Sequence, residues 1–142
     1  MTTNTQTIQQ AYAAITAQDM PGFQRLIAGD IVWIVPEMSG VPFAGEWRGH
    51  QGVAEFFARL NESQEIVEFR PARFVAQETT VVVLGHFVMR VKATGRLSRS
   101  EWAHVWTLRD GLIVRMQEYV DTATVRAAHA AAWCAHRAEK KP

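Results

Sequence analysis

The chain has 142 residues, of which 48% are hydrophobic and 20% charged, with 15 Lys plus Arg against 14 Asp plus Glu. That length suits a single domain over residues 1–142, and the even charge balance gives no footing for nucleic acid or an anionic membrane surface. The apolar content excludes wholesale disorder, and no apolar run is long enough to cross a bilayer.

The opening MTTNTQTIQQ has neither a basic residue nor an apolar stretch, so no secretory leader is expected and a cytoplasmic location is. In residues 6–18, Ile8, Tyr12 and Ile15 recur at helical spacing. Asp19 then reads as the cap of a short helix with Pro21 in its first turn. IVWIV at 31–35 is β-branched and aromatic and stops at Pro36, the signature of a strand. Residues 36–49 carry Pro36, Gly40, Pro42, Gly45 and Gly49 and read as loop. A second amphipathic helix follows over about 51–60, with Val53, Phe56, Phe57 and Leu60 on one face.

From residue 66 to residue 120 the pattern is β-rich and broken by turn clusters at Gln77–Thr79, Thr94-Gly95 and Arg109-Asp110-Gly111. Short turns between long strands predict an antiparallel meander. Asp121 reads as the cap of a C-terminal helix. Helices followed by a meander make an α+β fold: a curved antiparallel sheet with helices on its concave face.

The last hairpin carries the chemistry. With Arg109-Asp110-Gly111 as a three-residue loop, Trp102 faces Glu118, His104 faces Met116 and Trp106 faces Val114, all on one side of the sheet. A carboxylate among tryptophans forfeits hydration and needs a partner. The imidazole of His104 supplies one, by hydrogen bonding or by taking the proton, within roughly 2.6–3.2 Å directly or through a water. Such a pair suits proton transfer near neutral pH; a buried polar pair without chemistry is the alternative. Trp33, Val35, Phe56, Phe57, Phe87, Met89, Trp102 and Met116, with Met38 and Phe43 beside them, are the expected walls of an apolar pocket.

Other polar residues read more simply. Arg48 and His50 suggest a solvated surface rather than an anion site, and His86 alternates outward. His129 and His136, with Trp133 between them, show no ligand pattern, and Cys134 reads as packing. No HExxH, CxxC or EF-hand loop occurs, so no metal is expected. No GxGxxG spacing occurs either, so no nucleotide cofactor is expected.

Taken in order, AYAAITAQDM, LIAGDIVWIVP, GEWRGHQGVAEFFARL and EWAHVWTLRDGLIVRMQEYVD resemble the SnoaL-like branch of the superfamily that holds ketosteroid isomerases, limonene epoxide hydrolases and nuclear transport factor. The resemblance implies a cone-shaped domain around an apolar pocket, in a dimer. In the ketosteroid isomerases' pattern, the general base falls on Val35, the oxyanion donors on Ala11 and Ala103, and a supporting tyrosine on Phe57. Steroid isomerisation by that route is therefore not expected. In the epoxide hydrolases' pattern one acid falls on Glu118, but the rest falls on Gly85, Phe87, Trp33 and Val35. The polyketide cyclases' acid/base and assisting histidine fall on Glu118 and His104, which is also the pair reached by alternation.

The expectation is a cofactor-independent acid/base protein for a small apolar or carbonyl-containing molecule; a non-catalytic binding or carrier module is the alternative. The outward face of the last strands, with Ala103, Val105, Thr107, Gln117 and Tyr119, is the expected homodimer surface.

Overall fold

A computed structural model describes the backbone of residues 2–139 and the side chains of residues 2–130. Helix α1 spans Asn4–Thr16 and is opened by a reciprocal cap. Thr3 Oγ1 accepts from the Gln6 backbone N–H while Gln6 Oε1 accepts from that of Thr3. The short α2, Met20–Gln24, starts where Asp19 accepts from the Gly22 N–H, with Pro21 in its first turn as expected. Strand β1 then runs over Ile27–Val35, burying Ile31, Trp33 and Val35 at the period of a one-sided strand.

The region expected to be loop holds one further element. Strand β2, Gly45–Arg48, returns antiparallel to β1, with Val35 opposite Gly45 and Trp33 opposite Trp47. Four residues flanked by glycines are too short to show alternation, which is why this edge strand was invisible in the sequence. Helix α3 is longer than its apolar stripe, running Gly49–Ser63 and burying Val53, Phe56 and Phe57.

The meander follows as β3 (Gln64–Gln77), β4 (Thr80–Val91), β5 (Leu97–Arg109) and β6 (Leu112–Val120), each antiparallel to the next. Helix α4, Thr122–Glu139, closes the chain. Asp121 caps it, accepting from both the backbone N–H and the hydroxyl of Thr124. The six strands form one sheet in the order β2-β1-β6-β5-β4-β3. The contact of β1 with β6 is parallel, the one departure from an otherwise antiparallel sheet. It arises because β1 pairs along the outer edge of β6, the last strand of the meander, so the N-terminal and C-terminal halves share one core. The helices pack on one side of this curved sheet, and no described helix is long and apolar enough to cross a membrane.

The hairpin register differs from the expected one. Asp110 and Gly111 both have positive φ, 52° and 79°, forming a two-residue turn that returns Arg109 to the strand. A bulge follows: Leu108 faces Ile113 and Thr107 faces Arg115, which leaves Val114 without an opposite residue. Beyond it Trp102 faces Val120, His104 faces Glu118 and Trp106 faces Met116. The offset from the expected pairing is two residues. Beyond the bulge the even offset preserves the face of each side chain, so Trp102, His104, Trp106, Met116 and Glu118 keep the expected side. At the bulge the buried Ile113 takes the inward place expected for Val114.

Candidate functional site

The shifted register sets His104 directly across from Glu118, not diagonal to it. His104 Nε2 lies 2.9 Å from Glu118 Oε2, with the two side chains 8% and 18% exposed. Behind the imidazole stands Tyr12, on the buried face of α1. Its hydroxyl is 2.7 Å from His104 Nδ1 and 3.0 Å from Trp106 Nε1.

The donors in this chain follow from its chemistry. An indole N–H only donates, so Trp106 gives its proton to the Tyr12 oxygen. The Tyr12 hydroxyl then donates to His104 Nδ1, its remaining partner. That leaves the imidazole proton on Nε2, where it is donated to Glu118. The order Trp106, Tyr12, His104, Glu118 satisfies every member with the imidazole neutral and the carboxylate ionised. A charged acceptor at the end strengthens the last link.

Electrostatics keep the proton on the Tyr12 end of this chain. Burial pushes the Tyr12 phenol far above its ordinary range; the Trp106 hydrogen bond opposes this and the negative charge of Glu118 adds to it. The phenol therefore stays protonated. The imidazole is also held mechanically, because the Trp102 ring stacks on it at 3.9 Å between centroids and 17° between planes. Phe69 stacks on Trp102 in turn, at 5.1 Å and 12°. This stack exists because residue 85 is glycine: a Cβ there would collide with the Trp102 ring and with the Arg70 carbonyl.

His104 and Glu118 border a cavity enclosed between the sheet, α1 and α3. Besides Glu118 its lining holds no charged side chain, and neither Lys nor Arg reaches it. Among the described residues, no group of three His, Cys, Asp or Glu side chains is placed to hold a metal ion.

Comparison with known proteins agrees with this architecture. The family model of the SnoaL-like domain matches residues 8–116. The chain belongs to the SnoaL-like family. Among solved structures, an NTF2-like protein from Burkholderia xenovorans LB400 shares 35% identity, covering 89% of this chain and 95% of that one, with a TM-score of 0.82. An NTF2-like protein from Burkholderia thailandensis E264 shares 30% identity over 90% and 98% of the two chains, with a TM-score of 0.81. TerC, co-crystallised with polyporic acid, shares 28% identity over 89% and 97%, with a TM-score of 0.80. No curated protein matches.

In this SnoaL-like protein Trp33, Val35, Phe56, Phe57, Phe87, Met89 and Met116 all line the cavity, as do Met38 and Phe43. Trp102 does not: it lies behind His104, buried between that ring and Phe69, and serves as a backing plate rather than a wall. Tyr12 and Gln64 line the cavity and were not anticipated there. Tyr12 sat in the helical stripe with Ile8 and Ile15, yet periodicity marks a buried face without saying which residue meets the sheet's polar pair.

The other polar residues are accounted for locally. His50 is not free on the surface, since its Nε2 donates to the Ile27 carbonyl at 2.9 Å, while Arg48 pairs with Glu46. His86 faces outward to Glu68. His129 donates from Nδ1 to the Val125 carbonyl. The side chains of Trp133, Cys134 and His136 lie outside the described residues.

Proposed function

We propose that this protein is a cofactor-independent acid/base enzyme for a small hydrophobic carbonyl compound, with Glu118 as the base. The observation that carries this reading is the asymmetry of the Glu118 carboxylate. Oε2 is anchored by His104, and among the described residues no hydrogen bond engages Oε1, on a side chain that borders an apolar cavity. A carboxylate held by one oxygen and free at the other is oriented without being used up.

In the proposed reaction Glu118 takes a proton from the carbon next to the carbonyl. The C–H bond breaks, its electron pair moves into the enolate, and an O–H bond forms on Glu118. Returning that proton to another carbon gives an isomerisation. Returning it to a departing oxygen gives a dehydration, and attack of the enolate carbon on a second carbonyl, whose oxygen then takes the proton back from Glu118, gives a cyclisation. His104 acts by positioning: its Nε2–H fixes the carboxylate, while Tyr12 and Trp106 fix its tautomer. The apolar walls keep water from competing for the enolate.

The protein works, on this reading, as a cytoplasmic homodimer. The strip Val82, Leu84, Ala103 and Val105 is continuous across β4 and β5, and Leu84 and Tyr119 are 40% and 53% exposed. An apolar sheet face of this kind is suited to burial against a second copy.

Glu118→Gln tests the reading, because it keeps the shape and removes the proton acceptor. Turnover should collapse while affinity for the same ketone barely changes. Equal binding with no turnover by either form would establish a carrier module instead.

A further inference from the structure

The cavity contains a second polar group with no task in the chain just described. Gln64 stands where α3 passes into β3, and it is 7% exposed. Its side chain lines the same cavity as Glu118. Among the described residues its carboxamide makes no side-chain hydrogen bond, whereas the Tyr12 hydroxyl, the Trp106 indole N–H and Glu118 Oε2 around His104 are all engaged. A carboxamide that faces a cavity without a protein partner is available to a polar atom of a ligand. The position offers simple apolar substitutes, as its neighbours Leu60, Ile66 and Met89 show.

Its location is also informative. The lining residues Thr16 and Ile66 are solvent-exposed, and Ile66 is 49% exposed, so the cavity meets solvent beside α1's end and the start of β3. Gln64 lies two residues from Ile66 on the same alternation. Glu118 belongs to β6, three places from β3 in the strand order. A ligand touching both groups therefore reaches from near the mouth across the sheet.

The geometry points to Gln64 as a specificity-determining residue that hydrogen-bonds a second oxygen of the substrate, remote from the carbon at Glu118. This rests on the acid/base reading for the identity of the reacting end. A carboxamide offers both donors and an acceptor, so it accepts a carbonyl or a hydroxyl. The lining holds one carboxylate and no cation, which disfavours a carboxylate, sulfonate or phosphate ligand. The ligand is thus an uncharged apolar molecule with two separated neutral oxygens.

Paired phenols of increasing span test this: phenol with hydroquinone, 2-naphthol with 2,6-dihydroxynaphthalene, and 4-phenylphenol with 4,4′-dihydroxybiphenyl. Affinities are read by tryptophan fluorescence on the full chain and on Gln64→Met. In the wild type, at least one diol should bind about tenfold more tightly than its mono-ol, and Gln64→Met should abolish that advantage while leaving the mono-ol unchanged. The melting temperature of unliganded Gln64→Met should stay level or rise, since an unpartnered amide is replaced by an apolar chain of similar length. Failure of every diol to exceed its mono-ol overturns the proposal, as does retention of the advantage in Gln64→Met. Naphthalene-2-sulfonate binding as tightly as 2-naphthol overturns the neutral-ligand assignment. Failure of the catalytic reading shows elsewhere, in Glu118→Gln turnover, which these affinities do not report.

Discussion

His104 and Glu118 are direct cross-strand partners on β5 and β6, joined at 2.9 Å, and the imidazole's other nitrogen is held at 2.7 Å by the Tyr12 hydroxyl. One ring is thus gripped at both nitrogens by elements from opposite ends of the chain. Its proton has only one consistent place, Nε2.

Long-range proton–nitrogen NMR of the His104 side chain checks that assignment. At neutral pH the protein should show the Nε2–H tautomer, with Nδ1 in the shift range of a hydrogen-bond acceptor. Tyr12→Phe should release the tautomer and lower stability by about 1–3 kcal/mol in urea unfolding, because Trp106 Nε1 is left buried without an acceptor. An Nδ1–H tautomer in the wild type would reverse the donor order.

Tyr12 also makes a prediction about alkaline pH. The sequence has two tyrosines, so in Tyr119→Phe protein Tyr12 is the only phenol. Its folded-state pKa is raised, so above pH about 10 the unfolded state loses a proton that the folded state keeps. The stability tied to this phenol is complete below pH about 10 and falls as pH rises beyond it. Absorbance at 295 nm should stay flat until the circular dichroism collapses, and the two transitions should coincide. A phenolate signal that rises while the fold is intact would contradict the buried hydrogen bond.

Gly85 should resist substitution. Gly85→Ala drives a methyl into the Trp102 ring and the Arg70 carbonyl. The expected loss is about 1–3 kcal/mol, with a changed near-ultraviolet circular dichroism signal from the displaced indole. Unchanged stability would show that the stack behind His104 tolerates movement.

The proposed dimer is tested on its exposed strip. Val105→Arg places a charge at the centre of that face without touching the cavity, since its side chain points the other way. Light scattering at micromolar concentration should give a dimer for the wild type and a monomer for the variant. A monomeric wild type would remove the interface.

The sequence carried the fold well because strand alternation and turn chemistry are local. It placed His104, Glu118, Trp106 and Met116 on one face even with the register wrong, because an offset of two changes partners but not sides. What it could not supply was long-range: the parallel seating of β6 against β1, the four-residue β2, and the approach of Tyr12 to His104 across 92 positions. Trp102 illustrates the same limit. Alternation correctly turned it inward, but only Gly85 on the neighbouring strand sends its ring beneath the imidazole and out of the cavity wall.

The central claim is that Glu118 removes a proton next to a carbonyl, and carbon-bound hydrogen exchange reads that step without knowledge of the natural substrate. 2-Tetralone, a neutral bicyclic ketone, is incubated in D2O with wild-type protein and with Glu118→Gln, and deuterium uptake is followed by mass spectrometry. Wild-type protein should accelerate uptake above the buffer rate, and Glu118→Gln should lose about 10²–10⁴-fold of that acceleration while binding the ketone with similar affinity. Uptake by Glu118→Gln at the wild-type rate, or uptake by the wild type no faster than in buffer despite saturable binding, would contradict the account.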